Sequence, residues 1–214
     1  MCEASVDKKP ILELTGTKGR IIEVSLKLFA QSGYHAVSVR DIAREVGIKD
    51  ASIYSHFSSK DEILETIVAR FQLAFKTSVP DVSEFERIFK VCSARKFLDE
   101  GFNLFKKRLE DQTMAWTYLV LLREKFNGGL ASRAWEAHRA TVIEYVTESF
   151  AVMMRMGLIP ARDPGSLARL YEYPFFLLIE DYVLKLCRGE DTSAIECEIV
   201  NHKNFIIRII ENQG

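Results

Sequence analysis

The chain has 214 residues, 48% of them hydrophobic and 28% charged, with only 5 Pro and 11 Gly. That composition supports a packed core and excludes a disordered or fibrous chain. At about 100–200 residues per domain, the length fits one ordinary domain or two small ones. Lys and Arg number 29 against 30 Asp and Glu, a net charge of −1, which excludes a globally basic nucleic-acid coat but not a local basic patch. No uncharged stretch approaches the ~20 residues that cross a bilayer, and no secretory pattern opens the chain. The expectation is a soluble, cytoplasmic protein with no membrane contact. The cysteines Cys2, Cys92, Cys187 and Cys197 have no metal-ligand spacing, so reduced thiols, no metal and no cofactor are expected.

Residues 1–16 show no period and read as a flexible arm. From Lys18 the pattern is helical. Ile22, Ser25, Leu26 and Phe29 fall at i, i+3, i+4 and i+7, Thr17 is placed to cap the start, and Gly33 to stop it. Ser38 and Asp41 then form a capping box, with Val37 and Ile42 as a hydrophobic staple. The short helix that follows buries Val39, Ile42, Ala43 and Val46, and Gly47 ends it. A second short helix starts near Lys49 or Asp50, with Ile53 and Phe57 inward. Ser59 and Glu62 cap the next helix, which carries Ile63, Leu64, Ile67, Val68, Phe71 and Phe75.

Two short helices around a glycine are what a helix-turn-helix requires, since glycine supplies the positive φ and Ala43 a close crossing. The outer face of the second helix presents Lys49, Asp50, Ala51, Ser52, Tyr54, Ser55 and His56, groups able to enter a major groove or meet phosphate. Charge agrees. Residues 16–60 hold seven Lys or Arg against four Asp or Glu, the one cationic stretch of the chain.

The runs Ser38-Val39-Arg40-Asp41-Ile42-Ala43, Val46-Gly47-Ile48, Ile53-Tyr54-Ser55-His56-Phe57 and Lys60-Asp61-Glu62-Ile63-Leu64 resemble the DNA-binding domain of the TetR family of bacterial transcriptional regulators. The likeness covers roughly residues 17–65. It implies an all-α fold, with an N-terminal three-helix helix-turn-helix DNA-binding domain at 17–62 and a C-terminal helical ligand-binding and dimerisation domain at 63–214. On this resemblance the DNA-binding residues are Ser38, Arg40, Lys49, Ala51, Ser52, Tyr54, Ser55, His56 and Lys60. Arg40 reaches a guanine edge or a phosphate. Lys49 and Ala51 touch bases, while Asp50, repelled by phosphate, either accepts from a cytosine amine or only caps its helix. Tyr54, His56 and Lys60 form a phosphate clamp. A lysine at a helix N-terminus opposes the macrodipole, which makes sense beside an anion.

Downstream, Leu98, Phe102, Phe105 and Leu109 share a helical face, and a second helix covers about 112–126 before Gly128-Gly129. Further helices are expected at about 131–156, 166–188 and 193–212, with Pro174 kinking the first of the last two or splitting off its first turn. Those two are apolar most of the way round, through Phe175 to Ile179 and Phe205 to Ile210. Burial on more than one side implies a homodimer through them. Phe102, Phe105, Trp116, Trp135, His138, Tyr145 and Tyr173 are candidates to line a pocket for a small apolar or amphipathic effector, although residue by residue the ordinary-core reading is the stronger, and it is the resemblance that favours a pocket for the domain as a whole. Phosphate-loop and nucleophile motifs are absent, and the isolated acids and histidines assemble no catalytic set, so no enzyme is expected. The preferred reading is a ligand-responsive regulator, in the first instance a repressor, binding a palindromic double-stranded DNA operator as a dimer. The alternatives are a helical ligand-binding or interaction module that no longer binds DNA, for which Asp50 argues, and an all-α enzyme.

Overall fold

The computed structural model describes residues 15–211, so all of the expected arm except Thr15 and Gly16 lies outside the described residues. Every regular element among the described residues is helical: α1 (Gly16–Ser32), α2 (Val39–Val46), α3 (Asp50–Tyr54), α4 (Lys60–Ser78), α5 (Phe85–Phe89), α6 (Ala94–Leu109), α7 (Gln112–Glu124), α8 (Gly129–Arg155), α9 (Pro164–Arg188) and α10 (Ser193–Glu211). No helix is long and apolar enough to cross a membrane. The described chain packs as two compact units, one of residues 15–78 with 110–137, the other of 79–109 with 138–211. The functional boundary expected at 62/63 falls inside α4.

In the first unit, α1 buries Ile21, Ile22, Ser25, Leu26, Phe29 and Ala30, the stripe that the periodicity predicts. Its start differs from expectation: Thr15, not Thr17, is the cap residue, and its side chain caps nothing. Gly33 ends the helix at φ 86°, but with ψ 151° it leaves the left-handed helical region. Ile42, Ala43 and Val46 of α2, Ile53 of α3, Phe57, and Ile63, Leu64 and Ile67 of α4 complete this core. Further along α4, the Phe71 ring meets Tyr118 of α7 edge-on at 5.0 Å, and Tyr118 in turn meets Trp135.

In the second unit, α5 was not foreseen in the sequence. It inserts Phe85 and Phe89 beside Leu98 of α6, Phe150 and Met153 of α8, Leu167 and Tyr171 of α9, and Ile206, Ile207 and Ile210 of α10. Asp163 caps α9 by accepting from Ser166 N at 2.6 Å, and Pro164 opens the helix, where a missing N–H costs nothing. Pro174 does not split α9, which is one continuous helix through it. Pro174 is exposed, so the carbonyl it leaves unpaired can turn to water.

Candidate functional site

Local chemistry shapes α2 and α3. The Ser38 side chain accepts from Asp41 N at 3.2 Å, and the Asp41 carboxylate accepts from Ser38 N at 3.0 Å and from Ser38 Oγ at 2.6 Å. This is the expected capping box. The Ser38 bonds, and secondarily Arg44, hold the Asp41 carboxyl below the usual carboxylate range. At the other end, Gly47 sits at φ 81°, ψ 34°; its N–H reaches Arg44 O and the Ile48 N–H reaches Ala43 O. That Schellman closure needs a left-handed residue, and glycine takes it without strain. The chain turns at once into α3. Ile53 O accepts from both His56 N and Phe57 N, which ends α3 after five residues and drives Phe57 into the core.

The turn leaves one side of α3 bare. Lys49, Ala51, Tyr54 and Ser55 are exposed, Ser52 and His56 half-buried, and Ile53 buried. Tyr54 is 58% exposed. Ser55 Oγ donates to Ser52 O at 2.8 Å. Arg40 stands free of the protein surface, its side chain 87% exposed, and its Nε lies 3.4 Å from Asp50 Oδ2. Asp50 is the first residue of α3, and no side chain caps that helix. It faces Arg40 as a counter-ion, a pairing that the sequence does not single out.

Lys60 departs from expectation. Its ammonium donates to Tyr34 O and Val37 O, both at 2.8 Å, and sits 4.2 Å from the Tyr34 ring centroid. Two of its three donors are therefore used inward. Burial holds it below the usual lysine range, against the opposing pull of Asp61 and Glu124. A cation is held at the α4 N-terminus by two carbonyls and a ring face, with the Asp61 and Glu124 carboxylates adding negative potential, so no bound phosphate is required there. Around it lies a set of residues that sequence reasoning missed. The Tyr34 hydroxyl donates to Asp61 Oδ1, and Tyr34 N donates to Glu124 Oε1 at 3.2 Å. Glu124, buried at the end of α7, also meets His35 Nε2 at 3.4 Å and accepts from Asn127 Nδ2 at 2.9 Å. Arg123 donates to Gln31 O at 3.1 Å. These contacts bind the α1–α2 turn to α4 and α7.

The ligand-side candidates are not all brought together. Trp116 and Trp135 belong to the first unit; Phe102, Phe105, His138, Tyr145 and Tyr173 belong to the second. Within the second, Tyr145 packs edge-on against Phe85 at 5.1 Å. Phe102 and Phe105 lie 6.2 and 6.4 Å from Phe175. His138 is buried, and burial, then Arg108, drives its pKa down to about 4, so the ring is neutral. Tyr173 is a correction: it is 47% exposed on the outer side of α9, with the Arg139 guanidinium 5.7 Å from its ring. Among the described residues no group of His, Cys, Asp and Glu could hold a metal ion.

Residues 21–67 match the family model of bacterial regulatory proteins of the tetR family. This stretch is a TetR-family domain. Over 59 residues the chain is 36% identical to the HTH-type transcriptional repressor KstR2 of Mycobacterium tuberculosis, which is 28% of this chain and 30% of that protein. Over 51 residues it is 45% identical to the biofilm operon icaADBC HTH-type negative transcriptional regulator IcaR of Staphylococcus aureus, 24% of this chain and 27% of that protein. The match thus spans under a third of the length of these relatives. Beyond the TetR-family domain, likeness is one of fold. A crystal structure from Saccharomonospora viridis, in complex with choline, superposes with a TM-score of 0.64 at 22% identity, covering 90% of this chain and 96% of that one. The all-α fold, with its helix-turn-helix in α2 and α3, is therefore that of the TetR-like structures.

Proposed function

We propose that the chain is a ligand-responsive transcriptional regulator, a repressor that grips a palindromic operator as a homodimer. Residues 17–62 read DNA and residues 63–214 dimerise and receive a small apolar or amphipathic effector. The observation that carries this reading is the α3 surface: Lys49, Ala51, Tyr54 and Ser55 project outward while Ile53 and Phe57 anchor the helix from within. A helix with one side free of packing duty can lie in a major groove. Arg40 supplies a guanine or phosphate contact beside it, and Ser38, Ser52 and His56 flank the groove. Lys60 leaves the phosphate set because its ammonium is used within the fold. Dimerisation is supported by an apolar stripe left open on α9 and α10: Leu170, Tyr173, Leu177, Val200 and Phe205 are all at least 36% exposed. A two-fold pair of such chains sets two α3 helices against successive major grooves, roughly 34–36 Å or a multiple apart. An effector that prefers one spacing over the other controls occupancy.

The Arg40–Asp50 pair favours the second reading, a helical module without DNA binding, because Asp50 offsets the charge that Arg40 would bring to phosphate. One experiment separates the two. Duplexes selected from a random pool by the full chain are titrated in rising salt. The regulator reading expects one palindrome to be enriched, with log K falling by about 0.9 per phosphate contacted as log salt rises. It also expects Asp50→Asn to tighten binding. No enrichment and a flat salt response would remove it. Leu177→Glu places a charge in the stripe and is expected to give a monomer by light scattering, with half-site affinity only.

A further inference from the structure

Arg40 and Asp50 belong to the two helices that meet at the Gly47 turn, with Arg40 Nε 3.4 Å from Asp50 Oδ2. The neighbouring acids of α2 are engaged elsewhere. Asp41, beside Arg40 in the chain, accepts from Ser38 and from Arg44 Nη2 at 2.7 Å, and Glu45 meets Lys27 Nζ at 3.2 Å. Arg40 thus reaches across the turn to α3 rather than along its own helix. Solvent screens a pair this exposed, so it adds little to stability. Its consequence is directional. A guanidinium carries its donors in a rigid planar fork. With Nε against Asp50 and the side chain 87% exposed, the far edge, Nη1 and Nη2, is left for two acceptors in one plane. A guanine presents O6 and N7 as such a pair in the major groove, whereas the Asp50 carboxylate repels a phosphate. We infer that Asp50 is a positioning residue that sets specificity: it holds the Arg40 fork by its Nε side, so that Arg40 reads a guanine instead of gripping the DNA backbone. This rests on the regulator reading above and gives the pair that weakens phosphate binding a role in choosing a base. Pre-orientation removes part of the ordering cost that a free arginine meets on contact. Affinity and discrimination therefore move in opposite directions when Asp50 is neutralised.

The test uses the full chain, the palindrome it enriches, and a second duplex with A·T in place of the G·C pair whose preference Arg40→Ala abolishes. Wild type is expected to prefer the guanine duplex by about tenfold or more. Asp50→Asn is expected to bind both duplexes more tightly, yet to lose at least about threefold of that preference at an unchanged Tm. Asp50→Glu, which keeps the carboxylate, is expected to retain more of the preference than Asp50→Asn. In the Arg40→Ala background, Asp50→Asn is expected to change the preference no further. A preference that survives intact in Asp50→Asn overturns the inference, as does equal loss on every duplex in Arg40→Ala. So does a preference that depends on Asp50 even without Arg40, which would make Asp50 a direct partner of a cytosine amine. Each of these outcomes leaves the regulator reading standing. A chain that enriches no duplex removes that reading and this one with it. In the free chain, an Arg40 Nε resonance that Asp50→Asn does not move removes the pairing alone.

Discussion

Replacing Lys60 with Met keeps the aliphatic stem and removes the charge and its donors. Two hydrogen bonds from the ammonium to Tyr34 O and Val37 O, each at 2.8 Å, are lost, as is the contact with the Tyr34 ring at 4.2 Å. Hydrogen bonds to a charged group contribute about 1.5–3 kcal/mol each, and a partly exposed cation–ring contact about 0.5–1. The lysine is only half-buried, so the freed carbonyls regain some water and the sum overstates the loss. The expected cost is about 2–4 kcal/mol. For a chain of this length a kcal/mol moves Tm by about 2–4 °C, giving a fall of roughly 5–15 °C in a thermal melt without DNA. The slope of log K against log salt for operator DNA should stay at the wild-type value. An unchanged Tm with a slope smaller by about 0.9 would show that Lys60 serves phosphate after all, and would refute the inward assignment.

The remaining predictions follow from other contacts. Arg40→Ala, at an exposed side chain that faces Asp50, should leave Tm within about 1 °C and cost about 1–3 kcal/mol on the selected operator, with relaxed preference at one base pair; equal loss on every duplex would make Arg40 a phosphate contact. Ser38→Ala removes the cap of α2 and should destabilise the chain by about 1 kcal/mol in urea. Glu172 binds its proton more tightly folded, at about 8, than at its ordinary 4.5. Its contribution is therefore full below pH 4.5 and fades as pH rises through 8, by something on the order of 4 kcal/mol. Glu172→Gln should flatten that decline in urea melts, and parallel pH curves for the two proteins would contradict it. His138 has the opposite sign: buried neutral with its pKa near 4, it should withdraw stability as pH falls from about 6.5 toward 4.

The capping box at Ser38 and Asp41, the glycine turn at Gly47 and the inward pair Ile53 and Phe57 were all legible in the sequence, because caps, positive φ and i, i+4 burial are local. Long-range pairing was not. Lys60, Tyr34 and Glu124 are far apart in the chain, and nothing about a lysine at a helix start distinguishes two carbonyl partners from a phosphate. The same holds for Arg40, whose counter-ion Asp50 lies in the next helix rather than on its own. Helix α5 was missed because its five residues are too few to show a period. Pro174 does not split α9, because a proline on the exposed side of a long helix costs a bond that solvent can replace. The apolar run from Phe175 to Ile179 was visible, but which of its neighbours faced core and which faced outward depended on how α9 lies against α10.

The bare side of α3 has a consequence for how such proteins diversify. Ala51, Tyr54 and Ser55 are exposed, Ser55 bonding back only to Ser52 O of its own helix, whereas Ile53 and Phe57 beneath them are buried in the core. Under the regulator reading, drift at the outer positions rewrites the address without endangering the envelope. A lineage can therefore acquire new target genes one substitution at a time, each intermediate still a folded and heritable protein.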